Sequence, residues 1–201
     1  MARDSARALA ALAQEQGGYF TTKQATDAGY EYPQLVYHVT AGNFERVQHG
    51  LYRLPTIPVA EHDELIRLSL WSRNQKDEPQ AVVSHQTALV LHELSELLPG
   101  ETHLTVPPKF RKVPPSGVVL HKAKLEPREI EERAGFRVTT PLRTLLDAAR
   151  SAVSTEQLEK AVRDALDRGI VRRTALDKAV REHEGLDRLA DVLPRKKTKT
   201  H

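Results

Sequence analysis

The sequence predicts an α+β protein in two parts: an N-terminal winged helix-turn-helix, then a mixed α/β domain that ends in a helical hairpin. Three observations predict it. Short helix-like segments separated by glycine stops fill residues 1–43. Two brief extended pieces then hinge on His49-Gly50 within FERVQHGLYRLP. Beyond Pro58, strand-like and helix-like runs alternate until the last third turns helical.

Element by element, Asp4 and Ser5 are placed to cap a helix over roughly 6–16, which Gly17-Gly18 end. Tyr19-Phe20 read as a short apolar extended piece. Thr21 or Thr22 caps a second helix, KQATDA, that stops at Gly29. YEYPQLVYHVTAG gives a third, with Pro33 in its first turn and Gly42 past its end. Phe44, Val47, Leu51 and Leu54 then anchor a two-stranded hairpin whose reversal Gly50 permits, and a hairpin after the third helix makes the module winged. Pro55 and Pro58 begin a linker. The expected boundaries are 1–56 for the winged module, 57–194 for the second domain and 195–201 for a disordered basic tail.

In the second domain EHDELIRLSLWSRN reads as a helix with Leu65, Leu68 and Trp71 inward, and AVV as a strand. Ser84 caps HQTALVLHEL, and Pro99-Gly100 turn the chain. THLTV and GVVLHKAKL are strands joined by PPKFRKVPPSG and expected as an antiparallel pair. FRVTT leads into PLRTLLDAAR, where Thr140 precedes a proline at the first helical position. Ser154 and Gln157 form a capping box for a helix that Gly169 stops, and Thr174 caps the next. LEKAV and LDKAV recur in these two helices, which fits a paired hairpin.

Composition narrows the function. With 39% hydrophobic and 28% charged residues in 201, the chain can bury a sizeable core, and no apolar run reaches the ~18 residues of a membrane helix. MARDSARALAALAQEQ is an amphipathic helix rather than a targeting peptide. The lack of cysteine removes disulfides, thiolate metal sites and cysteine nucleophiles, and fits a cytoplasmic protein. The pI of 9.2 reflects location more than excess: residues 1–55 hold five basic and five acidic groups, whereas PRKKTKTH holds four cations and no acid. Lys109, Arg111, Lys112, Lys122 and Lys124 form a second basic run, either a solvated face or a second nucleic-acid surface.

On the third helix Leu35, Val36 and Val39 are expected inward. Gln34, Tyr37 and Ala41 then face outward, with Pro33 and His38 at the margins. The Gln34 amide suits bidentate pairing with adenine, and Tyr37 and His38 suit phosphate contact or stacking. Thr22 and Lys23 open the second helix, where backbone N–H groups meet phosphate or merely need a cap. Arg46, His49 and Arg53 on the hairpin are either DNA-backbone ligands or a charged edge that deters aggregation. No catalysis, cofactor or metal is expected. HELSE lacks the second histidine of HExxH, His85 and His92 have no third ligand at fixed spacing, and no GxSxG, Walker or GxGxxG motif occurs.

The winged module ending in HGLYRLP resembles the N-terminal domain of AbiEi-type antitoxins of type IV toxin–antitoxin systems. SHQTALVLHEL, HLTVP, LHKAKL and VTTPLRTLLDAAR follow in the order found in larger members, so the likeness spans about residues 5–185. It implies a transcriptional repressor that binds double-stranded DNA at its own promoter. The second domain would oppose a nucleotidyltransferase toxin, functionally rather than through a stable complex. The alternatives are a stand-alone winged-helix regulator without a toxin and an unrecognised nucleic-acid-processing enzyme.

Overall fold

The computed structural model describes residues 2–96 and 100–194, with side chains from Asp4 onward; Pro99 of the expected turn and the tail 195–201 lie outside them. The chain divides into two compact units, 1–81 with 132–137 and 82–131 with 138–201. The architecture is α+β, with two separate sheets.

The first unit opens with α1 (Ala2–Glu15), which starts ahead of the expected Asp4–Ser5 cap. After the Gly17-Gly18 reversal come β1 (Tyr19–Thr21), α2 (Thr22–Asp27) and α3 (Tyr32–Thr40). The hairpin is β2 (Glu45–Gln48) and β3 (Leu51–Arg53). The two-stranded hairpin belongs to a three-stranded sheet: β1 also pairs antiparallel with β3, giving the order β1-β3-β2. The apolar pair Tyr19-Phe20 thus becomes the inner lining of the wing. Phe20 is fully buried, edge-on to Phe44 at 5.0 Å and stacked on Tyr52 at 5.6 Å, and Leu9, Ala13, Ala25 and Leu35 close the core around them.

Residues 57–81 belong to this unit, so its limit falls at Ala81 rather than at 56. The reason is polar as well as apolar. In α4 (Asp63–Trp71), Asp63 Oδ1 accepts from the Tyr19 hydroxyl at 2.6 Å. Arg73 donates to Gln16 Oε1 at 2.7 Å, and Gln24 Nε2 donates to Asp77 Oδ2 at 3.0 Å. The apparent linker is therefore packed structure, with Leu65, Ile66, Leu68 and Leu70 buried.

The second unit holds β4 (Val82–Val83), α5 (His85–Leu91), β5 (Thr102–Val106) and β6 (Val118–Lys122). A 3-10 turn at Pro127–Glu129 leads to β7 (Ile130–Arg133) and β8 (Phe136–Thr139), of which 132–137 are counted with the first unit. The sheet order is β6-β5-β4-β8-β7. β5 and β6 run parallel, not antiparallel, in the register Thr102↔Val118 to Val106↔Lys122. The Pro-rich loop is long enough, at roughly 3.3 Å per extended residue, to carry the chain back along a five-residue strand without a helix.

Four helices complete the unit: α6 (Pro141–Ala149), α7 (Thr155–Asp167), α8 (Arg173–Glu182) and α9 (Asp187–Val192). Thr140 and Ser154 cap α6 and α7 through Arg143 N–H at 3.4 Å and Gln157 N–H at 3.2 Å. α8 begins ahead of Thr174, with Arg172 at its cap, and α9 adds a third element to the expected helical pair. Leu145, Leu158, Leu176 and Leu189, one from each helix, are wholly buried together. Among the described residues no helix is long and apolar enough to cross a membrane.

Candidate nucleic-acid interface

α3 is built by its own first turn. Pro33 pre-sets the backbone there, and the Glu31 N–H donates to Gln34 Oε1 at 2.7 Å in a capping box. That bond answers an orphan amide and turns the exposed Gln34 amide toward the start of its own helix, with one oxygen lone pair already engaged. Leu35 fixes the helix by burying completely. His38, half-buried, stacks on Phe44 at 4.7 Å and places Nδ1 3.1 Å from Asn43 Nδ2, so its ring serves the core edge.

The outward face differs from the sequence expectation. Val36, expected inside, is 50% exposed, and with Tyr32 at 63% and Tyr37 at 66% it forms an aromatic-aliphatic surface. Steps of 100° per residue explain this. Leu35 and Val39 define an inward direction, from which Tyr32, Val36, Thr40, Pro33 and Tyr37 lie at about 40° to 180°. Between α3 and the hairpin lies a cleft of about 110 Å³, lined by Tyr32, Val36, Val39 and Thr40, with Arg46 and Tyr52 beside them.

The hairpin turns at His49-Gly50, where Gly50 has φ 74°, a left-handed value that glycine adopts without strain. Its carbonyl accepts from Thr22 N–H at 3.0 Å, which ties the wing tip to the start of α2. The register shifts at Val47, a bulge that increases local twist. Arg46 and His49 are both exposed, with a guanidinium nitrogen 3.5 Å from Nδ1, and among the described residues Arg46 pairs with no carboxylate.

Arg53 is different. Its side chain is 12% exposed, lies 3.6 Å from Glu45 and donates to the Ile57 carbonyl, so it braces the wing instead of extending from it. Lys23 is exposed but bridges Asp27 at 2.8 Å along α2, and Thr22 caps nothing, since the cap is Thr21. The nine residues singled out on the module therefore separate. Arg46, His49, Pro33 and Tyr37 stand at the surface. Gln34 and Lys23 are exposed but engaged, Thr22, His38 and Arg53 have partners within the fold, and Tyr32 and Val36 stand at the surface without having been singled out.

In the second unit Lys109, Arg111, Lys112, Lys122 and Lys124 are all exposed, on the loop after β5 and at the end of β6, with Phe110 buried as the loop's anchor. Lys124 sits 3.8 Å from Glu126, and burial lowers the Lys112 ammonium from its ordinary value.

A cluster that sequence reasoning missed lies in this same unit. His85, at the head of α5 with φ 52°, stacks on His121 of β6 at 3.5 Å, and His103 of β5 lies 5.2 Å from His121. His103 Nδ1 and His121 Nε2 are 2.9 Å apart, and His85 Nδ1 is 2.9 Å from Ser84 Oγ, which accepts from Thr105 Oγ1 at 2.8 Å. Ser84 thus does not cap α5 through its side chain. Burial, then the neighbouring His121 and His103, push His85 down to about 3, and burial lowers the other two. The only available signal was the regular placing of HQT, THL and LHK, each at an element boundary. The rings stack instead of converging, and no group of three or more His, Asp or Glu among the described residues is placed to hold a metal ion. His92 Nε2 donates to the Thr139 carbonyl, 2.7 Å away, at the other end of α5.

The chain resembles the crystal structure of RV2827C protein from Mycobacterium tuberculosis with a TM-score of 0.52 and 18% identity, over 92% of this chain and 77% of that one, a likeness of fold. No curated protein matches the chain. The model of the family described as transcriptional regulator, AbiEi antitoxin, matches residues 7–55, which run from α1 to the end of the wing. That match is confined to the N-terminal module closed by HGLYRLP, which is similar to the AbiEi antitoxin family of transcriptional regulators.

Proposed function

We propose that this chain is a DNA-binding repressor without catalysis of its own, which controls its own promoter and acts as the antitoxin to a nucleotidyltransferase-type toxin. The observation that supports it best is the pairing, within one compact unit, of an exposed α3 face with an exposed Arg46–His49 wing tip. A helix for the groove and a cation for the flanking phosphate are what a winged module brings to a duplex. The acidic residues that balance its charge include Asp27 and Glu45, and these already pair with Lys23 and Arg53. The promoter supplies the partner for α3, and the second unit supplies the antitoxin activity.

Gel retardation with the duplex upstream of its gene tests the DNA reading. The full chain should shift it at lower concentration than a random duplex, and Arg46→Ala should weaken both alike while reducing the log–log salt slope by about 0.9. Failure to shift either duplex overturns it. Co-expression with the neighbouring reading frame tests the antitoxin role: growth arrest by that frame alone, relieved by this chain, is the expected result, and unrelieved arrest counts against it.

A further inference from the structure

The outward face of α3 carries unusual chemistry for a base-reading helix. It has no lysine or arginine, and its one basic residue, His38, is stacked on Phe44. Guanine is most often read by Arg or Lys on O6 and N7, so α3 has no group for that contact. Adenine is read by an amide that presents both its atoms outward, and the Gln34 amide is turned back toward the Glu31 N–H at the start of its own helix. What α3 does present is Tyr32, Val36 and Tyr37, half of the large apolar side chains exposed among the described residues. The Thr40 hydroxyl is turned back onto the Val36 carbonyl at 3.0 Å, which leaves its methyl as the outward group.

An apolar face in the major groove meets one apolar base substituent, the C5 methyl of thymine. The cleft beside Val36 and Thr40 has the dimensions of a few carbon atoms and carries Arg46 at its side. A methyl in that cleft would set the neighbouring phosphate within reach of the wing cation. Resting on the DNA-binding reading above, we infer that α3 selects its site through thymine methyl groups, with Val36 and Tyr37 as the specificity-determining side chains. The occupant is a duplex with thymine in the contacted half-site. Arg46 holds register without reading sequence.

The test uses the full chain to select duplexes from a random pool, and then replaces each thymine of the enriched sequence by deoxyuridine, which deletes only the methyl. One or two replacements should weaken binding by about fourfold each, the worth of one buried methyl group. Val36→Ala should bind the thymine duplex about fourfold more weakly and lose the thymine–uracil difference. Its melting temperature should match the parent, because the side chain is half-exposed. An enriched duplex that tolerates every deoxyuridine replacement overturns the inference and leaves DNA binding standing, as does a Val36→Ala chain that keeps full discrimination. Absence of any enrichment removes the DNA-binding reading itself, and this inference with it.

Discussion

In each unit a cluster of polar side chains is largely withdrawn from solvent, and the two clusters solve that problem differently. In the first unit Gln16 and Gln24 exchange two amide hydrogen bonds, at 3.0 and 3.1 Å, and Arg73 and Asp77 form an ion pair at 2.7 Å. Arg73 also donates to Gln16 Oε1, and Gln24 to Asp77 Oδ2, so the amides and the ion pair satisfy one another. In the second unit His85, His103 and His121 stack as imidazoles with Ser84 and Thr105 at one end. The first cluster is held by charges that cancel and by amides that do not titrate. The second depends on its rings staying neutral. One unit thus has a polar anchor that pH hardly touches and the other an anchor that acid can break.

The largest expected effect comes from the first cluster. Arg73→Met removes the cation and leaves Asp77 and the Gln16 oxygen short of donors, at a cost of about 3 kcal/mol. Urea unfolding followed on the first unit should show that loss equally at pH 7.5 and pH 5, since none of these residue types has a reference pKa in the window. A loss that changed markedly between the two would mean that the two clusters do not differ in kind.

Acid is the matching probe of the second cluster. His85 is lowered to about 3 from an ordinary value near 6.5, so between those limits the unfolded chain binds more protons than the folded one. Stability from this group is complete above about 6.5 and declines as pH falls. At 1.36 kcal/mol per pH unit, the loss at pH 5 is about 2 kcal/mol from His85 alone, and His103 and His121 add to it in the same direction. Arg143 opposes charging of His85, whereas Glu101 favours charging of His103. Amide-exchange protection in α5 and β5 should therefore drop on acidification while that in α2 holds. His85→Asn, which tolerates the left-handed backbone, should flatten the decline.

This contrast also separates what the residues announced from what they hid. Thr21 and Gln24 stand at capping-box spacing, and the box forms, at 2.9 and 3.1 Å. Gly50 marks its turn and Leu35 its inward face because these are local rules of backbone and periodicity. Val36 differs from expectation for a local reason too: an apolar side chain beside Leu35 looks like core, but the step of about 100° per residue carries it away from the direction in which Leu35 is buried. The boundary at Ala81, the parallel β5–β6 pair and the histidine stack were illegible because each joins distant segments. Gln24 meets Asp77, and Ser84 meets Thr105, through sequence separations that no periodicity reports. Arg53 looked like a surface cation until the Ile57 carbonyl and Glu45 were seen to hold it.

The smallest effect asks how the second cluster keeps its rings neutral. Thr105 Oγ1 donates to Ser84 Oγ, so the Ser84 proton is free to point at His85 Nδ1, which then accepts. A protonated His85 would have to donate from that same nitrogen, and the buried serine would need a new place for its own hydrogen. Thr105→Val keeps the shape and deletes the first donor, at a cost of about 1 kcal/mol at neutral pH. Ser84 is then free to accept from His85, so the imidazole should titrate at higher pH by NMR than in the parent. A drop in neutral-pH stability with no movement of that titration would mean that burial alone, without the hydroxyl chain, keeps the stack uncharged.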